Sequence, residues 1–156
     1  MFEVLTNNRR EAPGSVQLGL KLTPHSTIAL TSPPWIRSVA QRIDYLLALP
    51  DNWDGDGAKA LDFECAMETI SFLLTFAQHE TPEPQLIPTS ACGVQIEWHL
   101  GGIDLELRFE PDTPATYFHV GQDGAEKEGE LAKDEYLVAS LIRGLPARNE
   151  QPHTDR

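Results

Sequence analysis

Residues 94–110 constrain the fold of this chain more than any other stretch, because apolar and polar residues alternate strictly on both sides of a Gly-Gly pair. Such alternation predicts two antiparallel strands with one buried face, and a two-residue turn fixes how the strands pair. With Gly101 and Gly102 as the turn, Leu100 pairs with Ile103 and every later pair follows. The apolar face of this predicted hairpin carries Val94, Ile96, Trp98, Leu100, Ile103, Leu105, Leu107 and Phe109.

The opposite face of the hairpin is polar and mostly acidic. The same pairing sets His99 opposite Asp104. It also sets Glu97 opposite Glu106, so two like charges face each other at a spacing where repulsion lowers stability. The polar face of the hairpin is therefore a candidate functional surface as well as a candidate solvated surface.

A third strand is predicted to continue the sheet after the hairpin. A four-residue turn at 111–114 pairs Glu110 with Ala115, and it directs Tyr117 and His119 to the polar face. The apolar face then receives Thr116, Phe118 and Val120. The polar face, which we call the predicted acidic face, carries Glu97, His99, Asp104, Glu106, Tyr117 and His119.

Helical periodicity is present in two segments before the hairpin. Apolar residues recur at helical spacing over 35–49 and again over 63–77, where Asp62 is a predicted N-cap. The shorter predicted elements are a helix around 136–142 and strands at 16–22, 85–88 and 126–130. The predicted architecture is an α+β fold, in which a twisted antiparallel meander of at least three strands has two long helices packed on its apolar face.

The length of 156 residues accommodates one domain with its own hydrophobic core. We expect that domain to span residues 1–146, with a flexible start at 1–15, followed by a polar tail at 147–156. The two cysteines, Cys65 and Cys92, are too few for a disulfide framework and indicate a reducing, cytoplasmic setting.

The net charge of -12 restricts the partners that this chain can bind. Phosphate backbones and anionic membrane surfaces repel such a protein, and no basic stripe with interleaved aromatic residues offsets the charge. No apolar run approaches the roughly 20 residues that cross a bilayer. We therefore expect no direct nucleic-acid binding and no membrane association, whereas a basic protein partner suits the charge.

The turn-rich segment DNWDGDG between the two long helices resembles the start of a calcium-binding EF-hand loop. Oxygen donors at alternate positions are followed by a glycine at position six: Asn52, Asp54, Asp56 and Gly57. Position twelve, however, is Phe63 instead of a bidentate glutamate, and position one is Asn instead of Asp. The alternative is a structured turn whose side chains bond its own backbone.

The predicted acidic face has two interpretations. Carboxylates and imidazoles from Glu97, Glu106, His99 and His119 are a set that binds divalent metals or supplies an acid, as in a metal-dependent enzyme. These residues lie on a predicted open sheet, however, and no nucleophile motif accompanies them. We therefore favour a non-enzymatic acidic interaction module, of antitoxin, immunity or anti-defence type, that binds a basic protein and needs no cofactor. An exposed face also leaves homodimerisation open.

Residues 46–112 resemble a scattered group of uncharacterised small bacterial and phage-associated proteins, which have no assigned activity. The first shared pattern is a WDG-x-GA loop, formed here by Trp53, Asp54, Gly55, Gly57 and Ala58. The second is a hairpin pattern formed by Pro88, Thr89, Gly93, Glu97 and Trp98. The resemblance implies that this loop and hairpin are the signature of the fold, and it implies no function. The position of Asp56 is not acidic in the group, which argues against calcium.

Overall fold

The computed structural model describes residues 33–146. Within that range the chain forms α1 (Ile36–Leu47), α2 (Phe63–Phe76), β1 (Gln85–Pro88), β2 (Val94–Leu100), β3 (Ile103–Phe109), β4 (Thr116–Val120), β5 (Glu126–Glu130) and α3 (Leu131–Arg143). The strands form an antiparallel meander in the order β1-β2-β3-β4-β5. The predicted α+β class is therefore confirmed, including the strands at 85–88 and 126–130. The strand predicted at 16–22, the start at 1–15 and the tail at 147–156 lie outside the described residues.

The β2–β3 hairpin forms in the predicted register. Seven residue pairs connect the two strands, beginning with Leu100 opposite Ile103 at the turn. Gly101 and Gly102 adopt positive φ angles of 59° and 78°. A two-residue hairpin turn requires this conformation, and glycine adopts it at little steric cost.

The two long helices begin in different ways. The Asp62 side chain accepts a hydrogen bond from the backbone N–H of Cys65 at 3.0 Å, which confirms the predicted N-cap of α2. Trp35 is the N-cap of α1 and makes no capping bond with its side chain. Its indole N–H instead donates to the Thr81 carbonyl oxygen at 2.6 Å. The start of α1 is thereby tied to the segment before β1.

A hydrophobic cluster joins buried residues of the helices and the sheet. Trp98 is the largest of the fully buried side chains, and its indole N–H donates to the Pro82 carbonyl oxygen at 2.8 Å. This bond avoids the cost of an unpaired donor in the core. The cluster includes Val39, Ile43 and Leu46 of α1, Ala66, Ile70 and Leu73 of α2, Val138 and Ile142 of α3, and Val94, Ile96, Trp98, Leu105, Leu107 and Phe109 of the sheet.

The pairing of β3 with β4 differs from the prediction by one residue. Glu106 lies opposite Phe118, whereas a four-residue turn would have set it opposite His119. The connection is one residue shorter than predicted, and Asp112 within it adopts a left-handed φ of 57°, as occurs in short hairpin loops. A slip of one residue moves every side chain of a strand to the other face. The prediction that Tyr117 and His119 lie on the polar face was therefore wrong, because both are buried.

Contacts with α3 explain this register. The Tyr117 hydroxyl donates to Asp134 Oδ2 at 3.1 Å, and the Leu131 N–H donates to the Ala115 carbonyl oxygen at 2.8 Å. Gly129 of β5 lies opposite Tyr117, and its lack of a side chain leaves room for the tyrosine ring to reach Asp134. The start of α3 therefore decides which face of β4 is buried.

We expect Gly129→Ala to destabilise the protein by roughly 1–3 kcal/mol. A Cβ here would lie 2.5 Å from Asp134 Oδ2 and 3.0 Å from Tyr117 Cε1, so this hydrogen-bonded pair must move. Gly144→Ala is the matched control, because its φ of -84° suits alanine and the nearest neighbouring atom is 3.4 Å away. Its stability should change by no more than about 0.5 kcal/mol. Denaturant unfolding measures both; equal stability of the two variants would contradict the packing of Tyr117 across Gly129.

Candidate binding site on the outer face of the sheet

One face of the sheet carries the hydrophobic cluster, and we call the opposite face the outer face. Residues that pair across antiparallel strands point to the same face, so the registers assign each position. The outer face carries Gln85 and Ile87 of β1, Gln95, Glu97 and His99 of β2, Asp104, Glu106 and Arg108 of β3, Thr116, Phe118 and Val120 of β4, and Glu126, Glu128 and Glu130 of β5. It therefore brings together Glu97, His99, Asp104 and Glu106 of the predicted acidic face.

An amide side chain bridges the two opposed carboxylates of the outer face. Gln95 Nε2 donates to Glu97 Oε1 at 2.6 Å and to Glu106 Oε2 at 3.0 Å. Arg108 donates from Nε and Nη2 to the Gln95 side-chain oxygen, at 3.0 Å and 2.7 Å. Because Arg108 occupies that oxygen, the amide N–H groups point at the carboxylates and offset their mutual repulsion.

His99 has a carboxylate at each ring nitrogen. Nδ1 lies 2.8 Å from Asp104 Oδ1, and Nε2 lies 3.0 Å from Glu97 Oε2. A neutral imidazole has only one N–H, so two bonds to carboxylates require the protonated ring. The bond with Glu97, followed by the bond with Asp104, raises the pKa of His99 above its ordinary value of 6.5. His99 therefore keeps its proton to higher pH than a free imidazole.

Glu97, His99 and Glu106 are also close enough to share a metal ion. One ligand atom from each lies within 4.8 Å of the others, and imidazole with carboxylates is a common ligand set for divalent metals. Metal binding would require His99 to lose its proton, and the carboxylates to exchange their hydrogen bonds for metal bonds. His119, the fourth member of the predicted set, is not on this face.

Tyr117 and His119 lie on the buried face of β4, where 4% and 8% of their surfaces are exposed. Burial and then the hydrogen bond with Asp134 raise the pKa of Tyr117. Burial and then Lys127 lower the pKa of His119, and Asp123 opposes them. His119 Nδ1 has no hydrogen-bond partner among the described residues. Neither side chain contributes to the outer face.

Phe118 lies on the outer face, although the sequence analysis placed it on the apolar face. It takes the position predicted for His119, opposite Glu106, and on its other side it lies opposite Glu128 of β5. Its ring is half-buried and is not among the partly buried residues packed against the hydrophobic cluster. Because β4 carries an aromatic residue on each face, Tyr117 and Phe118, alternation alone does not distinguish the two orientations.

The DNWDGDG loop uses side-chain oxygens to bond its own backbone. Asp54 Oδ1 accepts from the N–H groups of Asp56 and Ala58, at 2.8 Å and 3.0 Å. Asn52 Oδ1 accepts from the Gly57 N–H at 2.7 Å. The bond from Asp56, followed by the bond from Ala58, lowers the pKa of Asp54. These contacts correspond to the structured-turn alternative.

Trp53 and Gly55, the other residues of the signature loop, have structural roles as well. Trp53 is half-buried and donates its indole N–H to the Lys59 carbonyl oxygen at 3.1 Å. Gly55 adopts a positive φ of 80°. After the loop, the Asp62 N–H donates to the Cys92 carbonyl oxygen at 2.8 Å, in the connection between β1 and β2. This last hydrogen bond links the start of α2 to the sheet.

Comparison of the chain with protein-family models, with curated proteins and with solved structures found no match. The function of the protein is therefore inferred from the geometry and charge of the outer face. Among the described helices, none combines the length and the apolar character needed to cross a membrane.

We expect His99 and His119 to titrate on opposite sides of pH 6.5. His99 holds its proton to higher pH because two carboxylates accept from it, whereas buried His119 releases its proton at lower pH. NMR titration of the imidazole Cε1–H signals measures both pKa values, with single His→Gln variants for assignment. Glu97→Gln should lower the pKa of His99 and leave that of His119 unchanged. A pKa of His99 at or below 6.5 would contradict the paired hydrogen bonds.

These histidines also affect stability in opposite directions. The raised pKa of His99 stabilises the fold fully below pH 6.5, and this contribution is lost as pH rises through the folded-state pKa. The lowered pKa of His119 favours the fold above pH 6.5, and this contribution is lost as pH falls through the folded-state pKa. Thermal midpoints of His119→Gln should therefore fall less on acidification than those of the wild type.

We expect calcium to leave the thermal midpoint unchanged. Oδ1 of Asn52 and Oδ1 of Asp54 are engaged within the loop, and position twelve is Phe63, which begins α2 and has no side-chain ligand atom. A calcium site with a Kd one hundredfold below the added concentration would contribute about 2.7 kcal/mol. Differential scanning calorimetry at about 1 mM calcium, with magnesium as control, measures the shift. A rise specific to calcium would support the EF-hand interpretation instead.

Proposed function

We propose that this protein is a non-enzymatic interaction module that binds a basic protein partner through the outer face. The charge of that face supports the proposal, since its carboxylates are exposed or half-buried and far outnumber its cations. The carboxylates are Glu97, Asp104, Glu106, Glu126, Glu128 and Glu130. The basic side chains of these strands on the same face are Arg108 and His99, whose pKa is raised by Glu97 and then Asp104.

A basic partner suits this face for two physical reasons. Arginine and lysine side chains form charge-assisted hydrogen bonds with carboxylates, and these bonds strengthen when the interface excludes water. Opposite charge also accelerates the encounter of the two proteins. Nucleic acids and anionic membranes would add negative charge, and so would a second copy of the same face. Repulsion between like charges therefore disfavours a homodimer that forms through the outer face.

The proposed setting is the cytoplasm. Both cysteines in the described chain are free thiols, Cys65 buried and Cys92 half-buried, as is usual in a reducing compartment. Burial, followed by Asp62, raises the pKa of Cys65 to about 12, which makes that thiol a poor nucleophile. An antitoxin, immunity or anti-defence role is the form of the proposal that suits a small acidic protein, by analogy only.

A metal-dependent enzyme is the second candidate, and the approach of Glu97, His99 and Glu106 to within 4.8 Å favours it. It requires a deprotonated His99 and further ligands from water or substrate, because His119 faces the core. The interaction module requires neither change. The two candidates differ in what the purified protein should carry: a basic protein or a stoichiometric metal.

We expect a basic protein to co-purify with the tagged protein at low salt and to be released at high salt. The double variant Glu97→Gln/Glu106→Gln should weaken this capture at least about tenfold, because a partner cation loses both opposed carboxylates. Glu68→Gln/Glu135→Gln is the control, since it removes the same charge from exposed positions on α2 and α3. Quantitative mass spectrometry compares partner recovery in the two variants.

Elemental analysis of the same samples tests the second candidate. Stoichiometric zinc or manganese without a partner, lost in Glu97→Gln/Glu106→Gln and retained in the control, would favour the enzyme. Equal partner recovery in both variants would contradict binding through the outer face.

A further inference from the structure

We propose that Phe118, Glu106 and Glu128 form a seat for an arginine side chain of the basic partner. This inference rests on the proposed function and deepens it, because it names the group that is recognised and the residues that recognise it. Glu106 comes from β3, Phe118 from β4 and Glu128 from β5. Of these three residues, only Glu106 belongs to the predicted acidic face.

The sheet register places an aromatic ring between two carboxylates. Phe118 lies directly opposite Glu106 on one neighbouring strand and directly opposite Glu128 on the other. Directly opposed residues in antiparallel strands have Cβ atoms roughly 4.5–5.5 Å apart and point the same way. The Phe118 ring is therefore flanked on both sides by acidic side chains of the outer face.

The negative charge beside the ring lacks a cationic partner in the described chain. Glu106 accepts a hydrogen bond from the neutral amide of Gln95, and the Glu128 side chain makes no hydrogen bond or ion pair with any described residue. Three basic side chains near the ring are engaged elsewhere. His99 has a ring nitrogen within 4.8 Å of a Glu106 carboxylate oxygen, and its two nitrogens contact Asp104 and Glu97. Arg108 donates to Gln95, and the Lys133 ammonium lies 2.7 Å from a carboxylate oxygen of Glu130.

An open groove of about 680 Å³ gives access to the seat. Its lining includes Glu106, Phe118 and Glu128 together with Arg108 and Lys133. This volume is within the range of about 300–1,000 Å³ found for ligand sites, so an extended side chain and part of its backbone can enter.

The chemistry of the seat fits a guanidinium better than an ammonium. A guanidinium is planar and weakly hydrated, so it stacks on an aromatic face while its N–H edges donate to carboxylates at the sides. A lysine ammonium is a compact, strongly hydrated charge and gains less from the ring. Charge complementarity therefore selects a basic segment, and Phe118 selects arginine within it.

The test uses three capped peptides of equal length, in which glycine alternates with arginine, lysine or citrulline. Citrulline keeps the shape of arginine and removes its charge. NMR titration of the full-length protein at low salt measures each Kd and locates the site. The arginine peptide should bind about twofold to fivefold more tightly than the lysine peptide, and the citrulline peptide should not bind.

Two variants distinguish the contribution of the Phe118 ring to binding from the contribution of the two carboxylates. Phe118→Leu should weaken arginine binding about twofold to fivefold and remove the preference over lysine. Glu106→Gln/Glu128→Gln should weaken both basic peptides at least about tenfold. The controls are Tyr136→Leu, at an exposed aromatic residue of α3, and Glu68→Gln/Glu135→Gln. Phe118 lies outside the hydrophobic cluster, so thermal midpoints should confirm that its variant folds.

The outcomes distinguish this inference from the proposed function. Equal affinity for the arginine and lysine peptides, with no effect of Phe118→Leu, would overturn the seat and leave a general acidic face. Shifts centred on Glu97 and His99 would also overturn it. If neither basic peptide binds, the proposed arginine site is refuted. Co-purification of a partner with the wild type and with the Glu97→Gln/Glu106→Gln variant then tests the proposed function independently.

Discussion

The pairing register of the sheet is the constraint on which the rest of this structure depends. Side-chain direction alternates at every residue of a strand, so a shift of one residue exchanges core and surface. In β2 and β3 the turn at Gly101 and Gly102 sets the register locally. That turn buries Trp98 and at the same time directs Glu97 and Glu106 outward. Core packing and the charge of the outer face therefore have a common origin.

The orientation of β4 depends on contacts that are distant in the sequence. A buried tyrosine hydroxyl needs a hydrogen-bond partner, and Asp134 supplies it from 17 residues further along the chain. Asp134 departs from helical geometry, with φ and ψ of -115° and 24°, and so the first turn of α3 is distorted. Gly129 leaves the space between them. The outward position of Phe118 is the consequence of these inward contacts.

Local signals in the sequence were sufficient for the helices and for the hairpin, because capping, periodicity and a glycine turn act over a few residues. They were insufficient for β4. The loop before it accommodates more than one turn length, and the strand has an aromatic residue on each face. The deciding partner, Asp134, is adjacent only in the folded chain. Four residues of the predicted acidic face were therefore predictable together, whereas Phe118 and Glu128 were not identified as members of the same cross-strand row as Glu106.

The hydrogen bonds among the outer-face side chains also affect the entropy of recognition. Gln95 and His99 hold Glu97 from two sides, while Asp104 and Glu106 each accept one bond from the same pair. When a partner immobilises an acidic side chain that moved freely before binding, the loss of conformational entropy costs about 0.5–1.5 kcal/mol of binding free energy. In this protein that freedom is already restricted by folding. A partner cation therefore contacts carboxylates that hydrogen bonds already orient, and less conformational entropy is lost when the interface forms.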